Sequence, residues 1–307
     1  MAAAAATSCK LAQIADLPAR LVHNKVIVDG AINGRKIGIM LDTGSTITVI
    51  PRPAALRLGL NPQKTAGVRM FGIGGETDVE SATVDEFKIG QATAKGRRMT
   101  VAGEHEFGDD IAVILGEDFF HAFDVEFDLA HNAVRLFKPK DCEGVSLAYW
   151  ATNGAGEVGI ETVDDARPMI VLTVQINGKP ARALLDSGAV TSVIDRPEAE
   201  RLGAPTAAAG GAAGTGTGLG PRTIEWRFVP LESFTIGDET IRDTTIQVAD
   251  ISKGLTYVPP GSLAPKKVEG TTAMLLGADF LRAHRMLVAH SQQKIYFTYA
   301  GGPVFAK

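Results

Sequence analysis

The chain is a succession of short apolar runs separated by Gly, Pro, Asn and Asp. Two of the longest alternate around an Asn-Gly pair: "VDGAINGRKIGIML" at 28–41 and "VLTVQINGKPARALL" at 171–185. Asn and Gly tolerate the positive φ of a tight hairpin turn, so each stretch predicts two antiparallel strands joined at the pair. The β-branched runs "ITVI" (47–50) and "TSVI" (191–194) predict further strands. Helical signals are brief. "RPAALRLG" (52–59) and "RPEAERLG" (196–203) each place Pro early and Gly just past the end. "EDFFHAF" (117–123) and "ADFLRAHR" (278–285) are the other short candidates. The pattern predicts a mostly β protein.

The same pattern occurs twice. Residues 28–60 align with 172–204 without a gap at an offset of 144, bringing Asn33-Gly34 onto Asn177-Gly178, Asp42 onto Asp186 and Arg52-Pro53 onto Arg196-Pro197. "FKIG" (87–90) matches "FTIG" (234–237) at offset 147, and "VILGEDFFHAF" (113–123) matches "MLLGADFLRAH" (274–284) at offset 161. "AVRLF" (133–137) then aligns with "KIYFT" (294–298). The chain is two copies of one unit, with 14 extra residues in the second copy between 250 and 272. The division expected is a tail at 1–21, a first lobe at 22–140, a linker at 141–167, a second lobe at 168–300 and a tail at 301–307. In the inserted stretch, Pro259, Pro260 and three glycines exclude a regular helix. Tyr257, Val258, Leu263 and Lys266-Lys267 are its candidates for contact with a ligand.

Composition narrows the function classes. At 45% hydrophobic and 21% charged residues, the chain has ample material for a core. A net charge of −4, with no Lys/Arg run, argues against nucleic acid. No apolar stretch approaches the ~20 residues of a membrane-spanning helix. The six histidines show no metal-ligand spacing, so no metal and no cofactor is expected. "GTGTGLG" (214–220) lacks the last Gly of a dinucleotide loop, since Pro221 stands there, and no Lys follows to make a phosphate loop. Cys9 and Cys142 are either two free thiols or one disulfide tying the tail to the linker. The disulfide would place the protein in an oxidising compartment, periplasmic or secreted.

The chemistry sits in "IGIMLDTGSTITVI" (37–50), where Asp42 is the one charge in an apolar strand. Burying a lone carboxylate is costly unless something compensates. A single Asp-Thr-Gly can be a plain turn, but Asp186 occupies the same point of the second copy, in "LDSGAV". If the copies pack about a pseudo-two-fold axis, the two carboxylates meet there and share a proton. One can then act as general base on a water and the other as general acid toward a carbonyl oxygen.

"LDTGST" and "LDSGAV", each followed by a hydrophobic-hydrophobic-Gly ("ILG" at 114–116, "LLG" at 275–277), resemble the aspartic proteases. Because each copy is short, each resembles a retropepsin subunit, over roughly 22–138 and 168–299. The resemblance implies two pseudo-two-fold-related β lobes in one chain, and hence a monomer. It also implies Asp42 and Asp186 as the catalytic pair, acting on a peptide or unfolded-protein substrate. Thr43 and Ser187 would cross-bond beneath the pair, and Gly44 and Gly188 would allow close approach of the two loops. Leu115-Gly116 and Leu276-Gly277 would back those loops. The resemblance further implies a flap at Phe71, Gly72, Ile73, Gly74 and Gly75. A second, counted forward from Asp186, falls at Gly216, Thr217 and Gly218. The symmetry breaks at Ser45, whose equivalent in the second copy is Ala189. A Ser45 hydroxyl donated to Asp42 would favour ionisation of Asp42 over Asp186. A catalytically silent peptide-binding module on the same fold is the competing reading. It has no chemical reason to keep both Asp residues and both following hydroxyls.

Overall fold

The computed structural model describes residues 9–161, 169–206, 212–257, 266–267 and 272–305. Each copy folds into a β lobe in which the Asn-Gly hairpins form as the alternation predicts. Lys25–Ile32 pairs antiparallel with Arg35–Leu41, and Val171–Ile176 with Lys179–Leu185. Asn33 and Asn177 take the positive φ the turns require. The side chains of both also accept main-chain hydrogen bonds, from Glu86 and from Glu232 and Ser233.

The second strand of each hairpin continues into the Asp loop. Arg35–Leu41 lies parallel to Ile111–Leu115, and Lys179–Leu185 parallel to Met274–Leu276. The strand that leaves each loop, Val49–Ile50 or Val193–Asp195, returns antiparallel on the other side of the same neighbour. Strands covered on both faces read as continuous apolar runs, which is why "IAVIL" and "MLL" show no alternation. The helices Arg52–Arg57 and Arg196–Arg201 bury Ala54, Ala55 and Ala199 beneath the sheets.

A shared sheet joins the lobes. Its order is Gly156–Gly159, Lys294–Tyr299, His284–Ala289, Asp124–Asp128, Ala133–Lys140, Lys10–Val22. The central pairing crosses between copies, with Arg285 opposite Asp128 and Val288 opposite Val125. Glu126 is fully buried here, and Arg135, Arg285 and the Tyr149 hydroxyl all bond its carboxylate. A buried anion persists only when partnered in this way.

Two segments differ from the sequence reading. The stretch read as an N-terminal tail is, from Lys10, a strand that pairs first with Ala133–Lys140 and then with Lys25–Ile32. The stretch read as a linker includes the strand Gly156–Gly159 and buries Cys142, Leu147 and Ala148. The two strands occupy equivalent places, each pairing antiparallel with the last strand of its copy, but their sequences share no recognisable motif. Cys9 and Cys142 form a disulfide that fixes the start of the first strand to this segment. Of the inserted stretch, Thr256–Tyr257 and Lys266–Lys267 pair as two short antiparallel strands. Val258, Pro259, Pro260 and Leu263 lie outside the described residues.

Candidate active site

The two Asp loops meet where the lobes face each other. Each is held from below by its own lobe: the amide of Asp42 donates to Leu115 O at 2.9 Å and that of Asp186 to Leu276 O at 2.9 Å. Gly116 and Gly277 pass so close to these loops that a Cβ would stand 2.6 Å from the carbonyl carbon of Ile47 or Thr191. The amide of Gly116 donates to Thr48 Oγ1 and that of Gly277 to Ser192 Oγ, at 3.2 and 2.9 Å. Those hydroxyls donate in turn to Asp118 and Asp279.

The loops are locked to each other by a reciprocal set of four hydrogen bonds. Thr43 N donates to Ser187 Oγ at 3.0 Å, and Ser187 N to Thr43 Oγ1 at 3.0 Å. Thr43 Oγ1 donates to Leu185 O at 2.7 Å, and Ser187 Oγ to Leu41 O at 2.8 Å. Both side chains are buried, so every donor and acceptor of the interlock is consumed by it.

Above the interlock, Asp42 and Asp186 lie within hydrogen-bonding reach of each other. Glycine permits this approach: a Cβ on Gly44 would stand 2.4 Å from the Asp186 carboxyl carbon, and one on Gly188 2.4 Å from that of Asp42. Burial, then the charge and hydrogen bond of Asp186, hold the Asp42 carboxyl well above the usual carboxylate range, against the amides of Gly44 and Ser45. Burial also raises Asp186, while its bonds from Asp42 and from the amides of Ala189 and Gly188 pull it back. Both carboxyls are thus raised, and the pair holds one proton between them.

The hydrogen bond expected from Ser45 to Asp42 does not form. The Ser45 hydroxyl donates instead to Ile47 O at 2.8 Å, within its own loop. Asp186, lacking a serine beside it, receives two amides on Oδ1, from Gly188 at 2.9 Å and Ala189 at 3.0 Å.

The flaps also depart from the count. The first is the hairpin Gln63–Gly72 and Gly75–Ile89, with Ile73-Gly74 at the tip and Phe71 just behind it. In the second, Thr217 pairs with Thr223, so Gly216 and Thr217 belong to the strand and the tip is Gly218–Arg222. The tips touch: Gly220 N donates to Ile73 O and Arg222 N to Gly74 O, both at 3.1 Å. Each tip also crosses to the opposite lobe. Leu219 packs on Ile27, Met40, Ile111 and Ile114 of the first lobe, and Ile73 on Val193, Ala249, Ile251 and Leu275 of the second. Leu219, Gly220 and Arg222 were missed by the sequence reading. The longer second tip displaces them from the position counted from Asp186.

Among the described residues, the ligating atoms of Glu117, His121 and His290 lie within 4.8 Å of one another, and neither Asp of the pair belongs to such a group.

Two lobes, two facing Asp-Thr/Ser-Gly loops and a closed pair of glycine-rich hairpins define an aspartic protease fold. The aspartyl protease family profile matches residues 28–119 and 172–280, once per lobe, and the chain belongs to that family. A search of curated proteins finds no match. Among solved structures, an aspartic proteinase from Irpex lacteus superposes with a TM-score of 0.51 at 12% identity, over 95% of this chain and 97% of that one. At that identity the likeness concerns the fold.

Proposed function

We propose that the protein is an aspartic endopeptidase that cuts peptide bonds with a water activated between Asp42 and Asp186. The observation that carries this reading is the pair itself: two carboxylates, Asp186 buried and Asp42 partly so, brought together by glycine, with one proton between them. One carboxylate, ionised, takes a proton from the water as it attacks the peptide carbonyl, and the other gives its proton to the carbonyl oxygen. The tetrahedral intermediate then collapses: the carboxyl that took the water's proton passes it to the amide nitrogen, the other recovers its proton from a hydroxyl of the intermediate, and the C–N bond breaks. Partly or wholly withdrawn from solvent, the two carboxylates interact more strongly than they would in water.

The substrate is an extended peptide segment. Gln63–Gly72 and Ala213–Thr217 are the outer strands of their sheets. Such edges can pair with an incoming strand through its main chain, while alternate side chains enter apolar pockets. The pockets now filled by Leu219 and Ile73 fit apolar side chains on either side of the cut. The test is cleavage of an unstructured protein across pH 3 to 7, with and without a statine-type transition-state mimic. Inhibitable cleavage that disappears in Asp186→Asn supports the reading. Tight binding of peptide without any cleavage identifies a silent binding module instead.

We also propose that the protein works in an oxidising compartment, periplasmic or secreted. The Cys9–Cys142 disulfide supports this, because such bonds persist where thiols are not kept reduced. Two titratable thiols in protein isolated without reductant refute it.

A further inference from the structure

Directly after the hydrophobic-Gly motif of the first lobe, one turn of helix, Glu117–Phe120, carries Glu117 and ends at His121. Residues four apart on a helical turn share a face, and the His121 amide donates to Glu117 O at 2.9 Å, so both side chains point the same way. They point at His290, which opens the short helix His290–Gln292 of the second copy. His290 Nε2 stands 3.5 Å from Glu117 Oε2, and its ring lies 5.3 Å from that of His121, centroid to centroid.

The trio is anomalous as an ordinary polar cluster. Glu117 is fully buried and His290 nearly so, yet both carboxylate oxygens of Glu117 and Nε2 of His290 lack any hydrogen-bond partner. Leaving such groups unpaired costs about 1–3 kcal/mol each, and the rest of this lobe junction pairs its buried carboxylates fully. Asp124, close by, takes both hydrogen bonds of Ser291, and Glu126 takes three partners. Three unpaired lone-pair donors aimed at one point call for a cation.

We propose that Glu117, His121 and His290 form a zinc site that clamps the two lobes together. One carboxylate and two imidazoles are a donor set suited to Zn²⁺. Tetrahedral zinc with bonds of about 2.0–2.2 Å needs donor atoms roughly 3.3–3.6 Å apart. The Glu117–His290 separation already meets that need, and the exposed His121 side chain can close the remaining distance. The fourth position falls to solvent on the His121 side. The metal would neutralise the buried carboxylate. In its absence, burial and the neighbouring Asp118 push the Glu117 carboxyl up to about 8, and burial together with His121 pushes His290 down to about 4. The clamp reaches the catalytic loop directly, since Glu117 N donates to Ser45 O at 2.8 Å.

No local spacing points to this site, because His290 is supplied by the other copy. The second copy does not repeat it: Ala278 stands at the Glu117 position and Arg282 at the His121 position.

The experiment uses the full chain, stripped with chelator and dialysed against ZnCl₂. The expected result is one zinc per chain by elemental analysis and a higher unfolding temperature with zinc. Cobalt(II) in place of zinc should give the intense visible absorption of a tetrahedral site. Glu117→Gln keeps the volume of the buried group, and His121→Ala changes an exposed one, so both variants should unfold cooperatively without metal. Each should lower zinc affinity by at least the roughly 10- to 100-fold that loss of an outer-shell partner costs, and abolish the cobalt spectrum. Binding that is absent in the wild type, or equal in wild type and both variants, overturns the proposal. Peptide cleavage plays no part in these readouts, so they stand apart from the test of the proposed activity.

Discussion

Removing one hydroxyl beneath the dyad should open the junction between the lobes. In Ser187→Ala, Thr43 N loses its acceptor and Leu41 O its donor, formerly at 3.0 and 2.8 Å. Leu41, Thr43 and Ser187 are all buried at 1% exposure or less, so solvent does not replace the lost partner. Two stranded main-chain groups at about 1–3 kcal/mol each give a loss of roughly 2–6 kcal/mol. That is a large part of the ~5–15 kcal/mol that typically holds a domain together. Thr43→Ser is the matched control. It keeps the hydroxyl and both hydrogen bonds and removes one methyl, at a cost of about 1 kcal/mol. Urea unfolding of wild type and the two variants at one pH separates these costs, with fluorescence and circular dichroism followed together. Activity on an unstructured protein should fall with Ser187→Ala even where the protein remains folded, because the carboxylates lose their alignment. If Ser187→Ala costs no more than Thr43→Ser, the interlock does not hold the lobes and the reasoning fails.

Other outcomes follow from the same geometry. Asp42→Asn and Asp186→Asn should each abolish cleavage while leaving the circular dichroism unchanged, and the double variant should be little worse than either. Substantial turnover by either single variant contradicts the shared-proton mechanism. Gly44→Ala places a Cβ 2.4 Å from the Asp186 carboxyl carbon, so it should inactivate as fully as loss of the aspartate itself. An active Gly44→Ala shows that the carboxylates need not be so close. Asp42 binds its proton more tightly in the folded chain than in the unfolded one. Its contribution to stability is therefore complete below the usual carboxylate range and drains away as pH rises toward its raised value. Unfolding measured from pH 4 upward should show this slope in the wild type and a flatter one in Asp42→Asn. Reducing the Cys9–Cys142 bond, which closes a separation of 133 residues, should cost about 5 kcal/mol on the loop-entropy account. Equal unfolding midpoints with and without reductant count against that.

How much of this was legible in the chain follows from where the signals lay. The duplicated alternation predicted both lobes, because each hairpin carries its own turn chemistry in Asn33-Gly34 and Asn177-Gly178. The contact between Asp42 and Asp186 could be inferred from symmetry alone. Features that the two copies do not repeat in sequence were opaque. The strand Lys10–Val22 finds its partner more than a hundred residues away, and its alternation is weak because much of it is exposed. Sequence proximity pairs the Ser45 hydroxyl with Asp42, yet it is the Ile47 carbonyl that accepts its hydrogen bond. The second flap tip could not be counted, since a tip of two residues in one copy is matched by five in the other.

That mismatch between the tips bears on how such a molecule can change over generations. In a two-fold homodimer each substitution appears twice, and any residue at the axis must fit against itself. Arg222 bonding Gly74 O, while Gly220 bonds Ile73 O, is a handshake between unlike hands. Once both halves share a reading frame, a mutation in one tip is tried against an unchanged partner. Each half can then drift toward its own side of a substrate, and a symmetric ancestor's single preference can split into two.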